Sequence, residues 1–365
     1  MNFEAIYGAV AGCIAGDSLG LKFEGLSPRR AEKMYNCPEK QYFIFGKRII
    51  SDDTEHLLFT LYALYKSEGD ETLFKKYLAS YLKNWFLSLP YGIGFATLKA
   101  SIKLLLGVSP DKSGVMSAGN GPAMRSGIIG IFFGSDISKL KNMVKISTVL
   151  THKDKKAETG ALIIAYAAYL SSIKADINPE IFIQDFSAKF SENLDLDIKN
   201  RFEFIIDSIK NGESTYEYCS RRFNNKGVSG YIYNSCEAVI HCWLTYKNDF
   251  KKAILEIIKC GGDTDTTAAI LGTIIAAGNS SDSIPENWID NSISFPFSIE
   301  YMKDLSAATS DKFNALNIDN STSEFMYSTE IKSIKKPSNL LLLFRNLLFY
   351  PIIILYGFRR LLPPW

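Results

Sequence analysis

The sequence has few of the residues that metal and disulfide scaffolds usually need. Only three histidines occur in 365 residues, His56, His152 and His241, which argues against a histidine-rich zinc or iron site. The six cysteines form no Cys-x-x-Cys pair and are too sparse for a disulfide framework, so free thiols in a reducing compartment are expected. No basic segment precedes the first apolar stretch, so we expect no secretory signal and, by default, a cytoplasmic location.

Several function classes are disfavoured by what else is missing. The formal net charge is only +2, far from the strongly basic character of most nucleic-acid-binding proteins, so no nucleic-acid partner is expected. The sequence contains no GxxxxGK[ST] phosphate loop and no G-x-S-x-G elbow, which disfavours a nucleotide kinase and a serine hydrolase. Hydrophobic residues make up 47% and charged residues 22%, as in ordinary soluble globular proteins.

Most of the chain has the apolar spacing of helices. Apolar residues recur three and four positions apart, and no stretch alternates with a period of two between hairpin turns. The sequence therefore predicts an all-α fold, a compact multi-helix domain over residues 1–305. The predicted helices are 3–16, 55–67, 72–87, 157–173, 235–246, 250–259 and 266–278.

The last part of the chain differs in composition. Residues 306–335 are rich in Ser, Thr, Asn and Asp, which predicts a polar linker before an apolar, basic-flanked tail over 336–365. From Ile331 onward there are six basic residues and no acidic one, and Leu340–Phe358 is almost entirely apolar. Three interpretations stay open: a helix docked on the main domain, membrane contact through 340–358 at the surface or spanning the bilayer, and disorder.

Two carboxylate-rich clusters each precede a predicted helix. The first, residues 51–55, reads Ser-Asp-Asp-Thr-Glu; its first residues suit an N-cap, and its Asp and Glu three apart resemble a capping box. The second, residues 261–266, reads Gly-Gly-Asp-Thr-Asp-Thr, and its glycines permit a tight turn that directs Asp263 and Asp265 toward one point. Helix capping is a sufficient explanation for either cluster alone.

Together the two clusters indicate a metal site. Each offers carboxylates beside a hydroxyl group, and four carboxylates that converge without a counter-charge would repel one another strongly. Such an arrangement therefore needs cations. Oxygen ligands select hard ions, so Mg²⁺ or Mn²⁺ is favoured over Zn²⁺, and two ions can share one set of ligands.

Further motifs lie in order over about residues 3–290. In chain order they are Gly8–Gly20 with Phe23-Glu24, Ser51–Thr54, Tyr91–Gly94 with Thr97, Gly119–Arg125, Thr151-His152, Gly227 with Gly230 and Tyr231, Gly261–Thr266, and Ile284-Pro285 with Trp288. Together they resemble the ADP-ribosylglycohydrolase family, whose members remove ADP-ribose from protein side chains. The pair of clusters at this separation is the most specific part of the resemblance.

The resemblance implies an all-α hydrolase with two Mg²⁺ or Mn²⁺ ions that cleaves the bond between ADP-ribose and a protein or small-molecule acceptor. By position it implies the metal ligands Ser51, Asp52, Asp53, Asp263, Asp265 and Thr266. The catalytic residues would be Glu24, Asp52, Asp53 and Asp265, with Glu24 as an acid or base. The substrate-binding residues would be Gly94, Ser117, Gly119, Asn120, Gly121, His152 and Tyr231.

Some roles are left open by the residues themselves. Loop 117–121 either presents backbone N–H groups to a diphosphate or is an ordinary turn. Arg125 either contacts phosphate or has a structural role, whereas His56 and His241 are expected within helices as core residues. Three features depart from the family pattern: Ser-Leu-Pro in place of Arg-Gly before Tyr91, serine in place of threonine at position 51, and the C-terminal tail.

Two other functions also remain open. One is a protein of this family type that binds and blocks an ADP-ribosyltransferase, as an immunity protein would. The other is a non-catalytic structural homologue. Intact metal ligands favour catalysis over both, because neither role requires them.

Overall fold

The computed structural model describes residues 2–319 and 333–364, which form an all-α fold as the sequence predicts. The helices are α1 Phe3–Gly20, α2 Pro28–Met34, α3 Asp52–Ser67, α4 Glu71–Phe86, α5 Phe95–Leu105, α6 Pro110–Ser113, α7 Ser126–Phe133, α8 Ile137–Val149, α9 Lys155–Ser172, α10 Pro179–Lys189, α11 Leu196–Lys210, α12 Thr215–Arg222, α13 Ile232–Tyr246, α14 Phe250–Lys259, α15 Thr264–Asn279, α16 Glu286–Asp290, α17 Ile299–Asp319 and α18 Asn339–Arg360. Two short parallel strands, β1 Arg48–Ile49 and β2 Ser292–Ile293, pair Arg48 with Ser292 and Ile49 with Ile293.

The centre of the fold is the antiparallel pair of α1 and α15. Gly8 of α1 faces Ala276 of α15, and Gly20 at the other end faces Thr264. A Cβ atom at each glycine of this face would lie 2.0–2.3 Å from a carbonyl oxygen of α15, so only glycine permits the approach. This packing places the C-terminal end of α1 beside the start of α15, where the second carboxylate cluster lies. The glycines are Gly8, Gly12, Gly16 and Gly20.

We expect Gly16→Ala to lower the free energy of unfolding by about 1–3 kcal/mol, the usual cost of overpacking. The added methyl group would meet the Ala268 carbonyl oxygen at 2.0 Å. Gly357→Ala is the matched control, because no atom lies within 4 Å of its Cβ position in α18. That change should be neutral or stabilising, since alanine is the better helix former. Urea denaturation would measure both, and equal midpoints would contradict the close-packing argument.

The predicted linker is wrong for residues 306–319, because α17 runs through them. The hydroxyl groups of Ser306 and Thr309 donate to carbonyl groups one turn earlier in the helix, at 2.8 and 2.6 Å. Phe313 packs on Phe132, with ring centroids 4.5 Å apart. Polar residues in α17 thus bond within the helix while its apolar residues join the core. Residues 320–332 of that predicted segment lie outside the described residues, and residues 333–335 are in neither a helix nor a strand.

Helix α18 is docked on the body of the domain by a polar contact. Arg345 forms an ion pair with Glu55 of α3, and both side chains are buried. Asn346 donates to the Ser88 carbonyl oxygen at 2.7 Å, and the Tyr356 hydroxyl donates to the Tyr42 carbonyl oxygen at 3.1 Å. This agrees with the docked-helix interpretation. Within the described residues, α18 is also the one helix long and apolar enough to cross a membrane.

Candidate active site

The first carboxylate cluster begins α3, and only part of its predicted cap is present. Ser51 is the N-cap, and its hydroxyl oxygen accepts the Asp53 N–H at 3.2 Å. Glu55 does not reach back as a capping box requires. Its buried carboxylate instead accepts the Trp85 Nε1–H at 2.5 Å and pairs with Arg345. The capping-box prediction is therefore wrong, because the Glu55 carboxylate bonds to Trp85 and Arg345 in the interior of the fold.

Asp17 fixes the position of this cluster, and its role was missed in the sequence. Its carboxylate accepts the Ser51 N–H at 2.9 and 3.0 Å and the Thr54 N–H at 3.2 Å. Burial raises the pKa of Asp17 to about 6, while these hydrogen bonds oppose the rise. The signal that could have found it is an aspartate within the apolar helix α1. Asp17 is a positioning residue: it holds the loop that carries the first cluster.

The second cluster depends on a glycine turn, as the sequence predicts. Gly261 and Gly262 have φ angles of 66° and 82°, the left-handed region that favours glycine. The Gly262 N–H donates to the Leu26 carbonyl oxygen at 2.8 Å, and the Asp263 N–H donates to that of Val228 at 2.7 Å. The turn is thus held between two loops, one from each side of the site.

Side chains of the second cluster turn toward the site and do not cap their own helix. Asp263 occupies the N-cap position of α15 without a capping hydrogen bond from its side chain. Its carboxylate instead accepts the Asn120 Nδ2–H at 2.6 Å. Three residues further along the chain, the Thr266 hydroxyl donates to Asp53 Oδ2 at 3.1 Å. The two clusters are therefore in direct contact, and capping does not account for Asp263.

The electrostatics of these carboxylates suit a bound cation. Among the described residues, buried Asp53 Oδ1 and Asp265 Oδ1 have no hydrogen-bond partner. Burial raises the pKa of Asp52, Asp53 and Asp265 well above the usual range, and neighbouring carboxylates raise it further. Buried, unpartnered anionic oxygens are costly unless a cation contacts them. The donor set, carboxylates with two hydroxyl groups, is one that hard divalent ions prefer.

The carboxylates do not form a closed cage as they stand. Within residues 2–316 and 333–364, no three His, Cys, Asp or Glu side chains converge closely enough to hold a metal ion. Asp53 Oδ2 is shared by the hydroxyl groups of Ser51 and Thr266, at 3.0 and 3.1 Å. The residues suit a metal centre by the chemistry of their oxygen atoms, not by a closed arrangement of ligands.

A cavity of about 650 Å³ opens over both clusters. Ser51 and Asp53 lie behind its wall, and Tyr231 does not line it. The Tyr231 hydroxyl instead accepts from Lys156 Nζ at 2.9 Å and donates to Asp197 at 3.1 Å. The predicted site residues that do line the cavity are Glu24, Asp52, Gly94, Ser117, Gly119, Asn120, Gly121, His152, Asp263, Asp265 and Thr266.

Loop 117–121 already uses two of the N–H groups expected to bind a diphosphate. The Gly119 N–H donates to Ser117 Oγ at 3.3 Å, and the Asn120 N–H donates to the Gly230 carbonyl oxygen at 3.0 Å. The first bond is made within the loop, and the second forms because the loop pairs with the segment around Gly230. The predicted cradle of backbone N–H groups is therefore reduced, although the loop does lie in the cavity wall.

His152 lies in the same wall, packed against the glycines of this loop. Cβ atoms at Gly119 and Gly121 would come within 3.0 and 3.1 Å of its imidazole ring. Its Nδ1 is 2.9 Å from the Thr151 hydroxyl, which leaves Nε2 on the side of the loop. Burial and the charge of Arg125 lower the pKa of His152 to about 3. The ring is therefore neutral at physiological pH and offers a hydrogen bond, not a charge.

Arg125 has the structural role that the sequence left open. It donates to the Ser147 carbonyl oxygen at 2.9 Å and to the Gly121 carbonyl oxygen at 3.0 Å, and its side chain is fully buried. Its Nη1 also lies 3.3 Å from His56 Nδ1. His56 and His241 are both buried within helices, as the sequence predicts. Arg125 thus connects loop 117–121 to the core through hydrogen bonds.

The cavity wall includes Phe95, Thr97 and Lys226, which were absent from the predicted site. Phe95 is 70% exposed at the start of α5, and Lys226 is an exposed cation of the loop before Gly227. Thr97 is buried. An exposed aromatic ring and an amine at a cavity mouth suit a nucleobase and a phosphate. Phe95 and Lys226 belong to no distinctive sequence motif, so their place in the cavity wall is seen only in the structure.

Known proteins resemble this chain across most of its length. The family model for ADP-ribosylglycohydrolase matches residues 2–311. The chain belongs to the ADP-ribosylglycohydrolase family. Family membership makes this glycohydrolase a hydrolase of glycosyl bonds, and it supports the hydrolysis of ADP-ribose linkages.

Individual relatives are distant but extensive. An uncharacterized protein of Archaeoglobus fulgidus is 27% identical over 79% of this chain and 91% of its own length. ADP-ribosylhydrolase ARH3 of Gallus gallus is 25% identical over 77% of this chain and 87% of its own length. A solved structure described as an ADP-ribosylglycohydrolase-related protein complex has a TM-score of 0.64 and 19% identity, and the match covers 85% of this chain and 98% of that one. The structural similarity shows the same fold.

Proposed function

We propose that this glycohydrolase uses two Mg²⁺ or Mn²⁺ ions to hydrolyse the bond between ADP-ribose and an acceptor. One observation carries the proposal. Buried oxygens of Asp53 and Asp265 lack hydrogen-bond partners within the described chain; Asp265 lines the cavity of about 650 Å³, and Asp53 lies behind its wall. The ions would be held by Ser51, Asp52, Asp53, Asp263, Asp265 and Thr266.

Two of the proposed ligands, Ser51 and Asp263, are already held by contacts within the protein. When bound, divalent ions would orient the ribose hydroxyl groups and lower the pKa of a water molecule. Asp17 fixes the loop of Ser51 through backbone N–H groups, and Asn120 fixes the carboxylate of Asp263. Such outer contacts keep the ligands in one orientation, which limits the reorganisation needed during the reaction.

Glu24 is the proposed proton-transfer residue for the leaving group or the water. It lines the cavity at the C-terminal side of α1, next to the second cluster. Burial raises the pKa of Glu24, and the positive charge of Arg360 opposes the rise. A carboxyl group with a raised pKa can hold a proton for a departing acceptor and take one back from water. The transition state for this cleavage resembles an oxocarbenium ion.

We expect Glu24→Gln to lower kcat by about 100-fold or more, the usual contribution of a general acid or base. Binding of Mn²⁺ and of ADP-ribose should remain, because the amide keeps the shape of the side chain. Steady-state kinetics and isothermal titration calorimetry would separate the two effects. Unchanged turnover with intact binding would remove Glu24 from the mechanism.

We expect Phe95→Ala to raise KM about tenfold and to change kcat little, because an aromatic ring that stacks on a base contributes about 1–3 kcal/mol. Phe95 lines the cavity mouth at the start of α5. Leu106→Ala is the control: it removes an exposed apolar side chain at the other end of the same helix, outside the cavity. A KM unchanged by Phe95→Ala would show that the base binds elsewhere.

The proposal is tested by release of free ADP-ribose from arginine-linked and serine-linked ADP-ribosylated proteins. Each substrate would be incubated with Mg²⁺, with Mn²⁺ and with EDTA. Release that depends on the ion supports the proposal and identifies the acceptor. Release that persists in EDTA after dialysis would refute the metal requirement. Inhibition of an ADP-ribosyltransferase by an inactive variant would favour a blocking role instead.

A further inference from the structure

The outer face of α18 is the inverse of an ordinary surface helix. Every exposed position from 340 to 358 holds an apolar residue or Gly357, while Arg345 and Asn346 face the protein. A surface helix normally buries its apolar face and exposes its polar one. The exposed apolar residues form what we term the outward stripe. They are Leu340, Leu341, Phe344, Leu347, Leu348, Pro351, Ile354, Leu355 and Phe358.

The outward stripe is continuous and long. Its members recur every three or four residues, so they lie on one side of α18 over about 27 Å at 1.5 Å per residue. Leu340 is 72% exposed at one end and Leu355 is 68% exposed near the other. A contiguous apolar surface of this size is uncommon on soluble monomers and indicates contact with a membrane or with another protein.

Two loops of the main domain that contact α18 also expose apolar side chains. Ser88, which accepts the Asn346 amide, is flanked by the exposed residues Leu87 and Leu89. The Phe295 carbonyl oxygen accepts from Arg345 at 3.4 Å, and the Phe295 side chain is itself half exposed. Exposed apolar side chains therefore occur both on α18 and on the loops that hold it.

The positive charges at both ends of the outward stripe indicate which kind of surface the stripe contacts. Lys335 precedes the helix and Arg359 ends it, and both are exposed. The chain has no acidic residue from Ile331 to its end. An apolar stripe with basic residues at its ends complements a bilayer surface that contains anionic lipids. If a second copy of this chain packed on the stripe, positive ends would meet whether the two helices ran parallel or antiparallel, and like charges repel.

We propose that α18 lies along the surface of an anionic membrane and holds the catalytic domain there. The outward stripe enters the boundary between headgroups and acyl chains, while Arg345 and Asn346 keep their contacts with the domain. A helix that spanned the bilayer would have to break the buried Arg345–Glu55 pair and carry the arginine into hydrocarbon, which is costly. The attachment does not depend on the proposed catalytic mechanism.

The test is co-flotation of the full chain with phosphatidylcholine vesicles, with and without phosphatidylglycerol. We expect binding to vesicles with phosphatidylglycerol, and about tenfold weaker binding without it, since each basic residue near an anionic surface adds about 1 kcal/mol. Leu348→Asp/Leu355→Asp should reduce binding by more than about tenfold, because the buried apolar area is lost. Leu106→Asp/Leu196→Asp, the same change at exposed leucines away from α18, should bind as the wild type does.

Circular dichroism and thermal midpoints would confirm that all variants are folded. Any of three results would overturn the proposal. The first is a wild-type chain that floats with neither vesicle, and the second is a Leu348→Asp/Leu355→Asp variant that binds as the wild type does. The third is light scattering that shows a dimer of the wild type and a monomer of that variant, because a second copy would then cover the stripe.

Discussion

Asp265→Asn is expected to abolish metal-dependent release of ADP-ribose and to lower kcat/KM by more than about 100-fold. Loss of residues that only support metal ligands already costs about 10–100-fold, and a ligand should cost more. Asp265 is buried at the start of α15, and no described residue bonds to its Oδ1 atom. The amide presents one weaker oxygen donor and no negative charge. Manganese binding measured by electron paramagnetic resonance should fall together with activity.

The fold of that variant should be kept or even stabilised without metal. Burial and the charges of Glu24 and Asp263 raise the pKa of Asp265, so the charged form is disfavoured in the metal-free protein. Asp249→Asn is the matched control, since it makes the same change at the start of α14, where Asp249 caps the helix by accepting the Lys252 N–H at 2.9 Å. Asparagine caps a helix about as well. Full activity of Asp265→Asn would contradict the proposed metal centre.

Periodicity predicts the central helices well because burial determines their pattern. The predicted helices 3–16, 55–67 and 266–278 correspond to α1, α3 and α15, which carry both carboxylate clusters. Helices such as α10 and α11 were missed, since they bury only one narrow face and much of their surface is polar. Helix α17 was mistaken for a linker because its serine and threonine hydroxyl groups bond within the helix.

The site could be predicted only as far as its motifs extend. Aspartates beside glycines and hydroxyl groups point to a metal site from local sequence alone. The roles of Asp17, Glu55 and Tyr231 depend on partners 30 or more residues away, as the bonds from Asp17 to Ser51, from Glu55 to Trp85 and from Tyr231 to Asp197 show. No local pattern reports such contacts. Loop 117–121 shows the same limit, because its Asn120 N–H donates to Gly230, which is remote in sequence.

The second large effect is expected for Arg345→Met, which should lower the free energy of unfolding by about 3–5 kcal/mol. The change leaves the buried Glu55 carboxylate without its cation, although the Trp85 Nε1–H still donates to it at 2.5 Å. Arg359→Met makes the same change at an exposed position of α18 and should have little effect on stability. Urea denaturation followed by tryptophan fluorescence would compare the two variants.

The double variant Glu55→Gln/Arg345→Met separates the ion pair from the packing of the helix. Glutamine keeps an acceptor for Trp85 and removes the buried charge, so most of the lost stability should return. Additive losses in the double-mutant cycle would show that Arg345 acts through packing alone. Glu55 lies one helical turn from Asp52 at the start of α3. An unpaired negative charge at Glu55 attracts a cation, so Arg345→Met should also strengthen manganese binding, and loss of that gain in the double variant would couple the docked tail to the carboxylate clusters.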